Sequence, residues 1–256
     1  MNTNIYRSKN IDVIAIIPAR MQSTRLPGKP LADINGKPLI YHVWNAVCQS
    51  HKLRRVIIAT DDEKIADACL SFGAEFVMTP SDIASGTDRI IAALRILNED
   101  ADYIINIQGD EPLITSQLID RVINETVLSG AHVGTVISPI TTNDELFNPS
   151  VVKVVLDSES NALYFSRNPI PYMRDTDQED WLKHTAYWKH IGIYAYSFPA
   201  LERFAELPVS DLEATEKLEQ LRLIQDNSIY RCIKTDDLLI GVDTPEDLER
   251  VREIMK

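Results

Sequence analysis

Glycine is scarce in this 256-residue chain, with only nine residues. They are too few and too widely spaced for either a GxGxxG turn or a GxxxxGK[ST] loop, which excludes the two familiar glycine-rich phosphate cradles. Cysteine is scarcer still. Cys48, Cys69 and Cys232 are scattered without metal-ligand spacing, so a reduced compartment is expected. No apolar run approaches the roughly 18 residues that a membrane-spanning helix needs. The first ten residues, MNTNIYRSKN, are polar and hold no signal-peptide apolar core; a cytoplasmic protein with a frayed N-terminus is expected. Positive charge is also in deficit. Lys and Arg number 26 against 38 Asp and Glu, for a net charge of −12, which argues against general nucleic-acid binding because that affinity comes mainly from neutralising phosphates. There is no internal repeat, low-complexity segment or clear linker. The 45% apolar content is ordinary, and the length suits one α/β domain, alone or with a small subdomain.

The most informative stretch is 13–31, VIAIIPARMQSTRLPGKPL. Its β-branched run 13–17 reads as a buried strand that stops at Pro18. The loop beyond has no hydrophobic periodicity but carries Arg20, Arg25 and Lys29, with Ser23, Thr24 and Gly28 between them. A basic, hydroxyl-bearing loop at the carboxyl end of a buried parallel strand is where α/β proteins bind anions. Its cations and backbone N–H groups suit a polyphosphate.

Further along, apolar runs at 56–59, 76–78 and 103–107 read as strands. Helical patterns at 39–49, 65–72, 87–97 and 116–127 alternate with them. Pro38 marks the start of the first helix and Gly73 the end of the second. This alternation predicts a doubly wound, mostly parallel sheet with helices on both faces. After Gly130 the pattern changes. Segments 133–137, 151–156, 162–166 and 191–196 suggest an antiparallel or mixed extension. Helices are expected at 199–207, 211–225 and 244–255, the last with Thr244 as N-cap and Pro245 at its first position. Segment 172–189 is irregular, and its Trp181, Tyr187 and Trp188 are expected to pack on the body.

Asp110 follows a buried strand, and Asp243 precedes the last helix. Two carboxylates at element ends, joined by phosphate oxygens and water, suit Mg²⁺. Each alone reads equally well as a turn residue or a cap, although Thr244 already supplies the cap. Whether the two meet is not legible from their separation. His190 and Tyr194 share one strand face. Glu219 and Gln220 lie mid-helix, so one of them leans toward the apolar side. Ser85-Gly86-Thr87-Asp88-Arg89 reads as a turn with a helix cap. No Ser-His-Asp or Cys-His nucleophile arrangement is evident.

Read together, IIPARMQSTRLPGKPL, ASGTDR, NIQGDEP, ALYFSRNPIPY, KHIGIYAY, EKLEQLRL and GVDTPEDLERV resemble the 3-deoxy-manno-octulosonate (Kdo) cytidylyltransferase, or CMP-Kdo synthetase, family. The resemblance runs in order from about residue 12 to the end. It implies a nucleotide-diphospho-sugar transferase type of α/β fold as a single domain over 11–256. Within it, 11–130 would bind nucleotide, 131–240 would bind sugar and form a homodimer, and the 241–256 helix would return to the first half. The implied reaction is CTP plus Kdo to CMP-Kdo plus diphosphate, for lipopolysaccharide or capsule synthesis. Arg20, Arg25 and Lys29 would hold the triphosphate. Ala19 and the Ser85-Gly86-Thr87 turn would select cytosine, and Asp110 and Asp243 would bind Mg²⁺. Gln108 would belong to the nucleotide site, near a sugar-acid pocket of Arg167, His190, Tyr194, Glu219 and Gln220. The sequence departs from the family at 210–216 and at Leu239-Ile240, which leaves open an 8-amino analogue of Kdo or another CMP-activated sugar acid.

Overall fold

The computed structural model describes residues 11–23, 25–83 and 85–256; the expected frayed stretch 1–10 and Thr24 lie outside them. The parallel half is built from β1 (Val13–Ala19), a small β2–β3 ribbon (Asp33–Ile34 and Lys37–Pro38), α1 (Leu39–Cys48), β4 (Arg55–Thr60), α2 (Glu63–Phe72), β5 (Glu75–Met78), α3 (Gly86–Leu97), β6 (Tyr103–Ile107) and α4 (Ser116–Ser129). The remainder comprises β7 (Val133–Pro139), α5 (Asn143–Phe147), β8 (Lys153–Leu156), β9 (Ala162–Ser166), α6 (Trp181–His184), β10 (Trp188–Ser197), α7 (Phe198–Glu206), α8 (Asp211–Glu216), α9 (Gln220–Gln225), β11 (Tyr230–Lys234) and α10 (Pro245–Ile254).

One nine-stranded sheet runs through the chain in the order β11-β7-β10-β6-β1-β4-β5, with the β8–β9 hairpin joined to β10. β5, β4, β1 and β6 are mutually parallel, and β10 runs antiparallel between β6 and β7. The α/β expectation and its antiparallel extension are both met. The alternation of β1 explains the layering. Val13, Ala15, Ile17 and Ala19 face a core shared with α1, α2, α4 and α10, whereas Ile14 and Ile16 face a second core with α3, α7 and α9. Both faces of the strand are therefore buried, which is why its sequence is apolar throughout.

Three expectations are corrected. β1 does not stop at Pro18 but continues to Ala19, because β4 still pairs with it there after the β6 ladder has ended at Ile16. The helix expected over 211–225 is two helices, broken by Lys217 in the left-handed conformation (φ 55). Arg167 fixes this break: its Nε donates to the Glu216 carbonyl at 2.6 Å and its Nη2 to the Lys217 carbonyl at 3.3 Å. Glu219 and Gln220 consequently begin a helix rather than lying within one. Segment 172–189 is also less irregular than expected, containing α6 and the start of β10. The three aromatics expected to pack inward do so, Trp188 only partly buried, whereas Tyr172 is exposed. Trp181 and Tyr187 are 1% exposed and form a small core with Ile140 and Leu146.

Candidate active site

The chain leaves β1 toward β4 and β5 on one side, then returns to β6 on the other. Such a reversal opens a crevice at the carboxyl ends of the strands. Here it is a cavity of about 720 Å³ between the loop after β1, the turn after β6, the start of α3 and the turn before α10. Gly109 permits the close seam at its base, since a Cβ there would lie 3.0 Å from the Pro18 carbonyl and 3.2 Å from Ile40 Cδ1.

The β1 loop is folded by its own backbone. Gly28, left-handed at φ 71, donates to the Met21 carbonyl at 3.4 Å, and Leu31 donates to the Gly28 carbonyl at 2.9 Å. Met21 and Leu26 anchor the loop on the core, leaving Arg20, Arg25 and Lys29 on the cavity wall. Lys29 Nζ reaches Asp110 Oδ2 at 2.5 Å and Asp243 Oδ1 at 3.1 Å. Arg25 Nη2 lies 2.8 Å from Asp243 Oδ2. Residues 81 and 214 positions from Lys29 thus converge on one ammonium. Burial pushes the Lys29 pKa down, but the Asp110 carboxylate and then Asp243 more than offset this, and the net direction is up.

Asp110 and Asp243 are held together through the backbone as well, since Val242 N–H donates to the Asp110 carbonyl at 2.8 Å. Asp243 is indeed spared from capping. Thr244 caps α10 and forms a capping box with Asp247. The two carboxylates present hard oxygens at one point, which fits a divalent cation completed by phosphate oxygens and water. Among the described residues they are not joined by a third His, Cys, Asp or Glu that could ligate with them.

On the opposite wall, Ser85 caps α3 by accepting from Asp88 N–H at 3.1 Å, beside Gly86. Thr87 is buried, and its N–H faces Glu219 Oε2 at 3.4 Å. Glu219, without a capping bond of its own, lines the cavity, as do Ala19 and Gln108.

Arg167, His190, Tyr194 and Gln220 do not line this cavity. The Arg167 guanidinium donates to carbonyls of Pro149, Glu216 and Lys217. The others form a connected group behind Gln108: the His190 and Tyr194 ring centroids are 5.3 Å apart, and Tyr194 Oη donates to Gln220 Oε1 at 3.4 Å. His190 Nε2 lies 3.0 Å from Thr135 Oγ1. His190 is half-buried as a residue, and burial of its ring among Phe165, Tyr194 and Thr135 pushes its pKa down to about 3.

Two groups beside the site were given no role by sequence reasoning. Arg89 is buried on the cavity wall, bonded to Thr79 Oγ1 at 2.6 Å and Asp61 Oδ2 at 2.8 Å. The available signal was a cation two residues past the Ser85-Gly86-Thr87 turn, in the first turn of α3. Glu111 is pushed up to about 8 by burial and then by the Asp110 and Asp243 charges. Its adjacency to Asp110 was visible, but its burial was not.

The fold and this cavity define a nucleotidyltransferase-like α/β protein, and comparison gives the class. Residues 14–232 match the cytidylyltransferase family model, and the chain belongs to that family. Among its relatives is the 3-deoxy-manno-octulosonate cytidylyltransferase of Syntrophobacter fumaroxidans, 46% identical over 95% of this chain and 96% of the relative. Another, bearing the same name, is from Geobacter sulfurreducens, at 44% identity over 96% and 100%. A solved CMP:2-keto-3-deoxy-manno-octonic acid synthetase complexed with CTP superposes with a TM-score of 0.87 at 40% identity, over 95% of this chain and 98% of that one. A cytidylyltransferase from Leptospira borgpetersenii, at 16% identity and TM-score 0.60, shares the fold.

Proposed function

We propose that the protein transfers the cytidylyl group of CTP to 3-deoxy-manno-octulosonate, giving CMP-Kdo and diphosphate. The observation that carries this reading is the convergence of Lys29, Arg25, Asp110 and Asp243 at one end of the cavity, in a chain 40% identical to a CMP-Kdo synthetase solved with CTP. The anomeric hydroxyl of the sugar acid attacks the α-phosphorus, and diphosphate leaves in line. Such a transfer depends on positioning and charge neutralisation more than on a covalent nucleophile.

Arg20, Arg25 and Lys29 receive the triphosphate. The Arg25–Asp243 pair is 56% and 44% exposed, so it costs little to break, and Arg25 is free to turn to a phosphate. Ala19, Ser85 and Gly86 form the wall that takes the base, with Thr87 buried behind it and Gln108 between the nucleotide and the sugar acid. Glu219 on the cavity wall serves the sugar acid, with His190, Tyr194 and Gln220 grouped behind that wall, and Arg167 joins them only on release from the carbonyls of Pro149, Glu216 and Lys217. Asp110 and Asp243 would hold Mg²⁺, which would supply a lowered pKa for the attacking hydroxyl and charge neutralisation for the leaving group. The chain works in the cytoplasm as a homodimer through its 131–240 half, where Leu163, Tyr172 and Val209 are exposed apolar side chains.

Phosphorus NMR of the protein with CTP, Kdo and Mg²⁺ tests the reaction. The reading expects the CTP α-phosphorus signal to be replaced by that of a phosphodiester, together with free diphosphate. Conversion without the sugar acid, or none with it, contradicts the reading.

A further inference from the structure

Gln108 leaves β6 where the parallel half meets antiparallel β10, and its side chain runs through a narrow slot. A Cβ placed on Gly192 would stand 3.2 Å from Gln108 Cγ, tighter than ordinary contact. On the other side, a Cβ on Gly86 would meet the carboxamide atoms at 3.7 and 3.8 Å. Gly192 sits where the β10–β7 register shifts between Ile191 and Tyr194. It is not among the left-handed glycines, so the demand for glycine there is one of space, not of backbone conformation.

The far end of the same side chain is fixed by a buried partner. Gln108 Nε2 donates to Asn106 Oδ1 at 3.3 Å. Asn106 is 1% exposed and pairs across the sheet with Tyr194. Among the described residues its own Nδ2 finds no hydrogen-bond partner. A buried amide donor left unpaired is costly, and that cost accompanies the bond that the Asn106 oxygen accepts from Gln108.

We propose that Gly192 and Asn106 are positioning residues that hold the Gln108 carboxamide in one orientation on the cavity wall, with its oxygen presented to a hydroxyl of the sugar acid. One Nε2 hydrogen given to Asn106 sets the orientation of the carboxamide, and its oxygen can then accept from a donor such as a hydroxyl. Both positioning residues stand at the β6–β10 seam, beside the His190–Tyr194–Gln220 group. This places the hydroxyl on the sugar acid, not on the nucleotide. A preset amide spares the binding step its ordering cost. The inference rests on the reading of the cavity as a sugar-acid cytidylyltransferase site.

Diphosphate release by the full chain, with CTP and Kdo varied in turn, tests it. Gly192→Ala and Asn106→Leu are each expected to raise the KM for Kdo by about tenfold while the KM for CTP stays within about twofold. In a Gln108→Ala background, where the Cγ is gone, Gly192→Ala is expected to add no further loss. That double variant also folds if Gly192→Ala alone does not, because the contact is removed. Unchanged Kdo kinetics in both single variants, an equal rise in both KM values, or an additive loss in the Gln108→Ala background overturns the proposal. An unmodified chain that does not turn over Kdo at all overturns the reading beneath it instead.

Discussion

At the scale of the residue, the site depends on charges that sequence spacing could not bring together. The basic loop and each carboxylate were legible singly, because each sits at the end of an apolar strand or before a capped helix. Their meeting was not legible, because Lys29, Asp110 and Asp243 come from three distant turns whose contact is a product of the sheet order. Asp110→Asn is expected to reduce kcat by about 10³-fold while the melting temperature stays within a few degrees; steady-state kinetics beside calorimetry checks this. Near-normal turnover would remove Asp110 from the metal role.

Lys29 makes a second prediction. Its pKa is raised above the ordinary 10.5 by Asp110 and Asp243 despite burial. Its contribution to stability is therefore complete below 10.5 and is lost as pH rises through the higher folded value. The stability difference between the native chain and Lys29→Met should narrow in alkaline melts above that value. His190 gives the opposite dependence. Burial holds its pKa at about 3 against an ordinary 6.5, so the unfolded ring takes a proton first as pH falls. Its contribution is present above 6.5 and is lost from 6.5 toward 3. His190→Gln is expected to flatten the acid limb of the melting temperature against pH.

At the scale of the element, the strands and helices of the parallel half, apart from the short β2–β3 ribbon, were legible because they are apolar, uninterrupted and closed by caps such as Asp62, Ser85 or Gly73. The misread elements are those shaped by partners. Pro18 stays in β1 because β4 continues beside it, and α8 ends at Lys217 because Arg167 collects the carbonyls there. No local signal in the sequence carries either fact. One strand–helix contact yields a quantitative expectation. A Cβ on Gly134 in β7 would lie 1.7 Å from Thr126 Oγ1 of α4. Gly134→Ala should therefore destabilise the fold by about 1–3 kcal/mol in denaturant titration, and Thr126→Ala in the same chain should recover part of that loss.

At the scale of the molecule, the two halves recognised in the sequence share one sheet, with β10 threaded between β6 and β7. The cavity opens on the parallel half, and the group around His190 and Tyr194 approaches it from the antiparallel side. The proposed nucleotide side was legible as a polyphosphate loop from general chemistry, whereas the proposed sugar side was legible only through resemblance, because the polar residues assigned to it are dispersed over β10, α9 and the loop after β9. The central claim, that this chain activates Kdo with CTP, is tested most directly by diphosphate release on a panel of Kdo, 8-amino-Kdo and N-acetylneuraminate with CTP and Mg²⁺. Turnover of Kdo well above the other acids is the predicted result; turnover of N-acetylneuraminate with neither octulosonate consumed would contradict it.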